Sequence, residues 1–115
     1  MNIEILYIAG CPHHPPAVSA VREALQAEGV SADVVDIEVN DALTARTAGF
    51  LGSPTIRING QDVERSARSA QAVGLSCRTY NDHGRRVGVP PIEWIRAALR
   101  EATTQEPQGN DDTVK

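Results

Sequence analysis

Between Ile3 and Ile8 the chain alternates branched apolar residues with Glu4 and then turns wholly apolar, the pattern of a central strand covered on both faces. From Ala17 to Glu28, Val18, Val21 and Leu25 recur at helical spacing, and Gly29 stands just past them as a stop. Ala32 to Val39 carries Val34, Val35, Ile37 and Val39 and predicts a second strand, with Asp36 and Glu38 facing solvent near a sheet edge. Asn40-Asp41 then supplies an N-cap for a short helix from Ala42 to about Gly49. Thr55 to Ile58 predicts a strand, Asn59-Gly60 a tight hairpin turn, and Gln61 to Glu64 the start of the return strand. Pro90-Pro91 opens a last helix whose inward face is Ile92, Ile95, Leu99 and Ala102.

The expected architecture is therefore α/β: βαβα followed by a β-hairpin and a C-terminal helix, with the first two strands parallel because a βαβ crossover joins them. One domain spans residues 1–102, and residues 103–115 form a polar tail without apolar period, expected to be disordered. Between Arg65 and Val89 lies a long loop with at most one short helix, around Ala67 to Val73. Loops of that length are usually functional or disordered.

Composition narrows the function. A net charge of -4 argues against a nucleic-acid partner, which needs clustered Lys and Arg to neutralise phosphates. Met1 to Ile8 is too short for a membrane span, carries Glu4, and lacks the charged start and cleavage site of a secretory signal. A cytoplasmic location with no membrane association is expected. There, two cysteines are unlike a structural disulfide and point to catalytic or sensing thiols, metal ligands or buried side chains.

The topology gathers distant residues. A hairpin strand antiparallel to the first strand starts and returns at the C-terminal edge of that strand. Cys11, Pro54 and the loop bearing Cys77 are thus expected on one rim, and open α/β sheets bind ligands at such rims. Gly10-Cys11-Pro12-His13-His14 and Ser53-Pro54-Thr55 lie there, and Arg78, Arg85 and Arg86 are candidates for an anion site beside them.

On these motifs the chain resembles the small thioredoxin-like proteins, from Asn2 to about Ala102, with extra material between Arg65 and Val89. The Gly52-Ser53-Pro54-Thr55 context, followed by Ser76-Cys77-Arg78-Thr79-Tyr80, is also similar to relatives labelled alkylmercury-lyase related. The resemblance implies that Cys11 is the nucleophile, that His14 stands where the resolving cysteine would be, and that Ser53, Pro54 and Thr55 cradle a substrate around a cis proline. With His14 in that place the resolving thiol must come from elsewhere, and Cys77 is the candidate in this chain. Pro15-Pro16 disfavours helical geometry at His14, so the helix is expected to begin at Pro15 or Pro16, with Cys11 about a turn ahead. A protonated His13 or His14 would then stabilise the thiolate.

Three functions follow. The first is thiol–disulfide exchange with Cys11, Cys77 and His14 as catalytic residues, acting on a protein or small-molecule thiol or disulfide. The second is binding or transfer of a soft metal ion (mercury, copper or zinc) by Cys11, His14 and Cys77, with His83 as a further ligand and Asp82 as a proton donor if organomercury is cleaved. The third is a partner-binding module of the same fold that has lost redox chemistry. No cofactor beyond a soft metal ion is implied, and the oligomeric state is not legible.

Overall fold

The computed structural model describes residues 1–69 and 73–105. Strand β1 (Asn2–Tyr7) is followed by helix α1 (His14–Glu28), β2 (Asp33–Glu38), α2 (Ala42–Ala48), β3 (Thr55–Ile58) and β4 (Gln61–Asp62). A single 3-10 turn (Arg65–Ala67), strands β5 (Tyr80–Asp82) and β6 (Arg85–Val87), and helix α3 (Ile92–Gln105) complete the mixed α/β chain.

The main sheet has the order β2-β1-β3-β4. β1 pairs with β2 in parallel, Ile5 opposite Asp36, and with β3 antiparallel, Ile5 opposite Ile56. Alternation along β1 divides the core. Ile3 and Ile5 pack with Ala17, Val21 and Ala24 of α1 and Ile95 and Leu99 of α3, while Leu6 points the other way to Val39, Phe50 and Ala45 of α2. The helices thus form two layers around one sheet, α1 and α3 joined further by Glu28, whose carboxylate accepts from Arg96 and Arg100, each at 2.7 Å.

Local chemistry sets the element ends. The Asp41 carboxylate caps α2 by accepting from the Thr44 amide at 2.7 Å. Gly49 closes that helix in the left-handed region, and Arg57 of β3 donates to the carbonyls of Ala48 and Gly49 that the helix leaves over. At the β3–β4 turn Asn59 and Gly60 both take positive φ, as a two-residue hairpin requires.

Three expectations are corrected. Helix α1 starts at His14, with His13 as its N-cap and both prolines in the first turn. Amides in that turn have no intrahelical acceptor, so their loss is harmless. Helix α3 continues past Ala102 to Gln105, so the tail's first three residues are helical; residues 106–115 lie outside the described ones. Between Arg65 and Val89 the chain forms the β5–β6 hairpin instead of an unstructured loop, turning on His83 (φ 54°) and Gly84 (φ 90°). The short helix expected around Ala67 to Val73 falls partly on residues 70–72, outside the described ones; the described helical turn ends at Ala67.

Candidate functional site

Beyond β1 the chain makes a tight turn in which the Cys11 amide donates to the Ile8 carbonyl at 3.2 Å, with Gly10 at φ 78°. A left-handed third residue is what such a turn asks for, and glycine adopts it without a steric cost. The His14 amide then donates to the Cys11 carbonyl at 3.2 Å, so Cys11 stands three residues ahead of the first helical residue. Its side chain is nearly enclosed, with the residue 8% exposed, and the thiol is free.

Both histidines beside it are engaged. The His14 ring stacks on Tyr7, centroids 3.7 Å apart and planes within 7°, and its Nε2 lies 3.2 Å from Asp36 Oδ1. These contacts hold His14 in helical geometry against the restriction imposed by Pro15. Asp36 faces solvent from β2 as expected, and from there it also ties that edge strand to the start of α1. The His13 ring lies against Gly88, where a Cβ would collide with it, so the absence of a side chain at Gly88 is what lets the ring approach.

Opposite this turn is the Gly52–Thr55 loop. The Ser53–Pro54 bond is cis, and Ser53 is wholly buried. Its Oγ accepts from the Ile8 amide at 3.1 Å, which fixes the start of the turn that carries Cys11. Its main chain faces the other way. The Ser53 amide donates to the Ser76 carbonyl at 2.8 Å, and its carbonyl accepts from the Arg78 amide at 2.9 Å. Ser53 and Cys77 are therefore partners in a parallel bridge. Cys77 is exposed and free. One buried serine thus binds both cysteine-bearing segments, by its side chain on one side and its backbone on the other.

The Cys77 segment is held in place by its neighbour. Arg78 is 8% exposed, and its guanidinium donates to both Asp62 oxygens (2.8 and 3.0 Å), to Glu64 (2.9 Å) and to Thr55 Oγ1 (3.0 Å). Thr55 Oγ1 donates in turn to the Gly52 carbonyl at 2.6 Å. The guanidinium carbon lies 4.6 Å from the centroid of the Tyr80 ring, and the Tyr80 hydroxyl donates to the Pro54 carbonyl at 2.5 Å. Burial works against the charge on Arg78, but its hydrogen bonds to Asp62, the field of Tyr80 and the bond to Glu64 outweigh it and hold its proton more tightly than usual. Burial pushes the Tyr80 phenol above its ordinary range, against the pull of Arg78.

Arg78, expected as part of an anion site, is instead a structural cation saturated by two carboxylates. Arg86 donates to Thr79 Oγ1 at 2.8 Å, and Arg85 pairs in register with Asp82 on the hairpin. Asp82 contacts His83 Nδ1 at 2.9 Å, and the His83 side chain is 97% exposed at the turn. Among the described residues no three of His, Cys, Asp and Glu converge as a metal-holding group. The arrangement sequence reasoning missed is the Arg78–Asp62–Glu64–Tyr80 cluster. Its trace in sequence, two acids flanking Val63 at strand spacing, reads equally as a solvated edge until Arg78 is brought to it from sixteen residues away.

A cleft of about 610 Å³ lies elsewhere, between Val63, Arg65 and Arg68 on one side and Trp94 and Ala98 of α3 on the other; neither cysteine lines it. Among the described residues no helix is long and apolar enough to cross a membrane.

No curated protein and no solved structure matches the chain. A family described as Domain of unknown function (DUF2703) matches residues 14–99, a stretch that holds His14, Ser53, Pro54, Thr55 and Cys77 and begins three residues after Cys11. With most of its length covered by that match, the chain belongs to the DUF2703 family.

Proposed function

We propose that the protein is a thioredoxin-like thiol–disulfide oxidoreductase in which Cys11 is the nucleophile and Cys77 the resolving thiol. The observation that carries this reading is the double attachment of Ser53, to the turn of Cys11 through Ile8 and to Cys77 through the backbone bridge. The β2-β1-β3-β4 sheet with α1 after β1, and a cysteine just before α1, agree with it. So does the proline loop facing the cysteine turn.

In the forward direction the Cys11 thiolate attacks one sulfur of a disulfide RS–SR. The S–S bond breaks, a mixed disulfide forms on Cys11, and RS⁻ leaves and takes a proton from water. The Cys77 thiolate then attacks the Cys11 sulfur, expelling the second RS⁻. The protein has lost two electrons and holds a Cys11–Cys77 disulfide; the substrate has become two thiols. A low-molecular-weight thiol or a dithiol protein reverses the oxidation. Ser53 positions both cysteines, while His14, occupied by Tyr7 and Asp36, orients the start of α1.

The deciding experiment is intact-mass analysis after thiol trapping across glutathione redox buffers, on chelator-treated protein. A disulfide between the two cysteines should form reversibly at a potential between roughly -270 and -120 mV, the span of thiol oxidoreductases. Two thiols that persist throughout the series would overturn the reading. Tight mercury(II) uptake by such a protein, lost when both cysteines become alanine, would then identify a metal-binding protein.

A further inference from the structure

Resting on the thiol reading above, we infer that the substrate is a low-molecular-weight disulfide and not an extended polypeptide, because the chain's own Ser76–Arg78 segment occupies the backbone edge beside Pro54. An extended peptide joins a sheet through unpaired main-chain amides and carbonyls. Next to the Cys11 turn that edge is Ser53, and both of its main-chain groups are taken, by the Ser76 carbonyl and the Arg78 amide.

The occupying segment is not readily displaced. Lifting it would pull Arg78 from Asp62, which is 5% exposed, and strand a buried carboxylate without its counter-charge. It would also separate Arg78 from Glu64, Thr55 and the Tyr80 ring. Gly52 is shaped to this contact: a Cβ there would stand 2.8 Å from Arg78 Cβ. The fold thus places a segment of its own chain, carrying the second thiol, where a peptide would otherwise lie. Cys11 itself is only 8% exposed, which suits a small reactant.

Two measurements on the wild-type protein test this. First, the reduced protein is mixed with bis(2-hydroxyethyl) disulfide and, separately, with an unstructured decapeptide bearing one cysteine capped by the same 2-hydroxyethanethiol, so that the sulfur leaving group is shared. The peptide should react no faster than the small disulfide and without saturation. A peptide rate at least about tenfold higher, equivalent to 1.4 kcal/mol of docking, overturns the inference while leaving the thiol mechanism intact. Absence of reaction with either reagent overturns the thiol reading and this inference with it. Second, the amides of Ser53 and Arg78 should be strongly protected from hydrogen exchange in the free protein. Exchange of either at the rate of an open chain would show the edge to be available and sink the inference.

Discussion

The hydroxyl of Tyr80 donates to the carbonyl of Pro54 at 2.5 Å, joining the short β5–β6 hairpin to the loop that faces Cys11. A buried carbonyl that loses its donor stays unsatisfied, so Tyr80→Phe should cost about 1–3 kcal/mol of stability, read as a lower urea midpoint at an unchanged slope.

The same residue sets an alkaline limit. Burial holds the Tyr80 phenol above its ordinary value of 10.0, so the folded state keeps a proton that the unfolded chain releases there. The stability it contributes is present in full below about pH 10 and is lost as the pH rises through the folded value. Urea midpoints measured from pH 8 to pH 11.5 should fall above about pH 10, and Tyr80→Phe should flatten that part of the curve.

Removing one partner of the buried Arg78–Asp62 pair is expected to be severe. Asp62→Ala should lower stability by about 3 kcal/mol, since Glu64 compensates the guanidinium only from one side. Replacing both partners by apolar residues, Arg78→Met with Asp62→Leu, should cost less than the sum of the single changes in a double-mutant cycle.

Two glycines separate conformational strain from close approach. Gly52 (φ 127°) and Gly84 (φ 90°) both disfavour a side chain, but only Gly52 has Arg78 against it, with nothing within 4 Å of a Cβ at Gly84. Gly84→Ala should therefore cost about 1–2 kcal/mol and Gly52→Ala distinctly more, with loss of protection at the Arg78 amide.

For the chemistry, Cys77→Ser should trap a mixed disulfide on Cys11 that is stable on the timescale of mass analysis, and Cys11→Ser should form none. A Cys77→Ser protein that turns over disulfides as fast as wild type would remove Cys77 from the mechanism.

The order of strands and helices was legible because local signals settle it: Asp41 and Gly49 bound α2, Asn59-Gly60 makes the hairpin turn, and Ile95 and Leu99 recur at helical spacing. The β5–β6 hairpin was less so. Its strands are three residues each, mostly polar, and His83-Gly84 is a weaker turn signal than Asn59-Gly60.

The sequence by itself determined that Cys11 follows a central strand and that Ser53-Pro54 precedes an antiparallel one, because alternation and turn chemistry act over a few residues. Only the tertiary structure decided the fates of Arg78, His14 and Ser53. Arg78 is buried and neutralised across sixteen residues, His14 is drawn into the helix by Tyr7 and Asp36, and the edge of Ser53 is closed by the segment that bears Cys77. Each is a contact between distant parts of the chain, and a charged, aromatic or polar residue shows in sequence what it can bind but not which partner the fold carries to it.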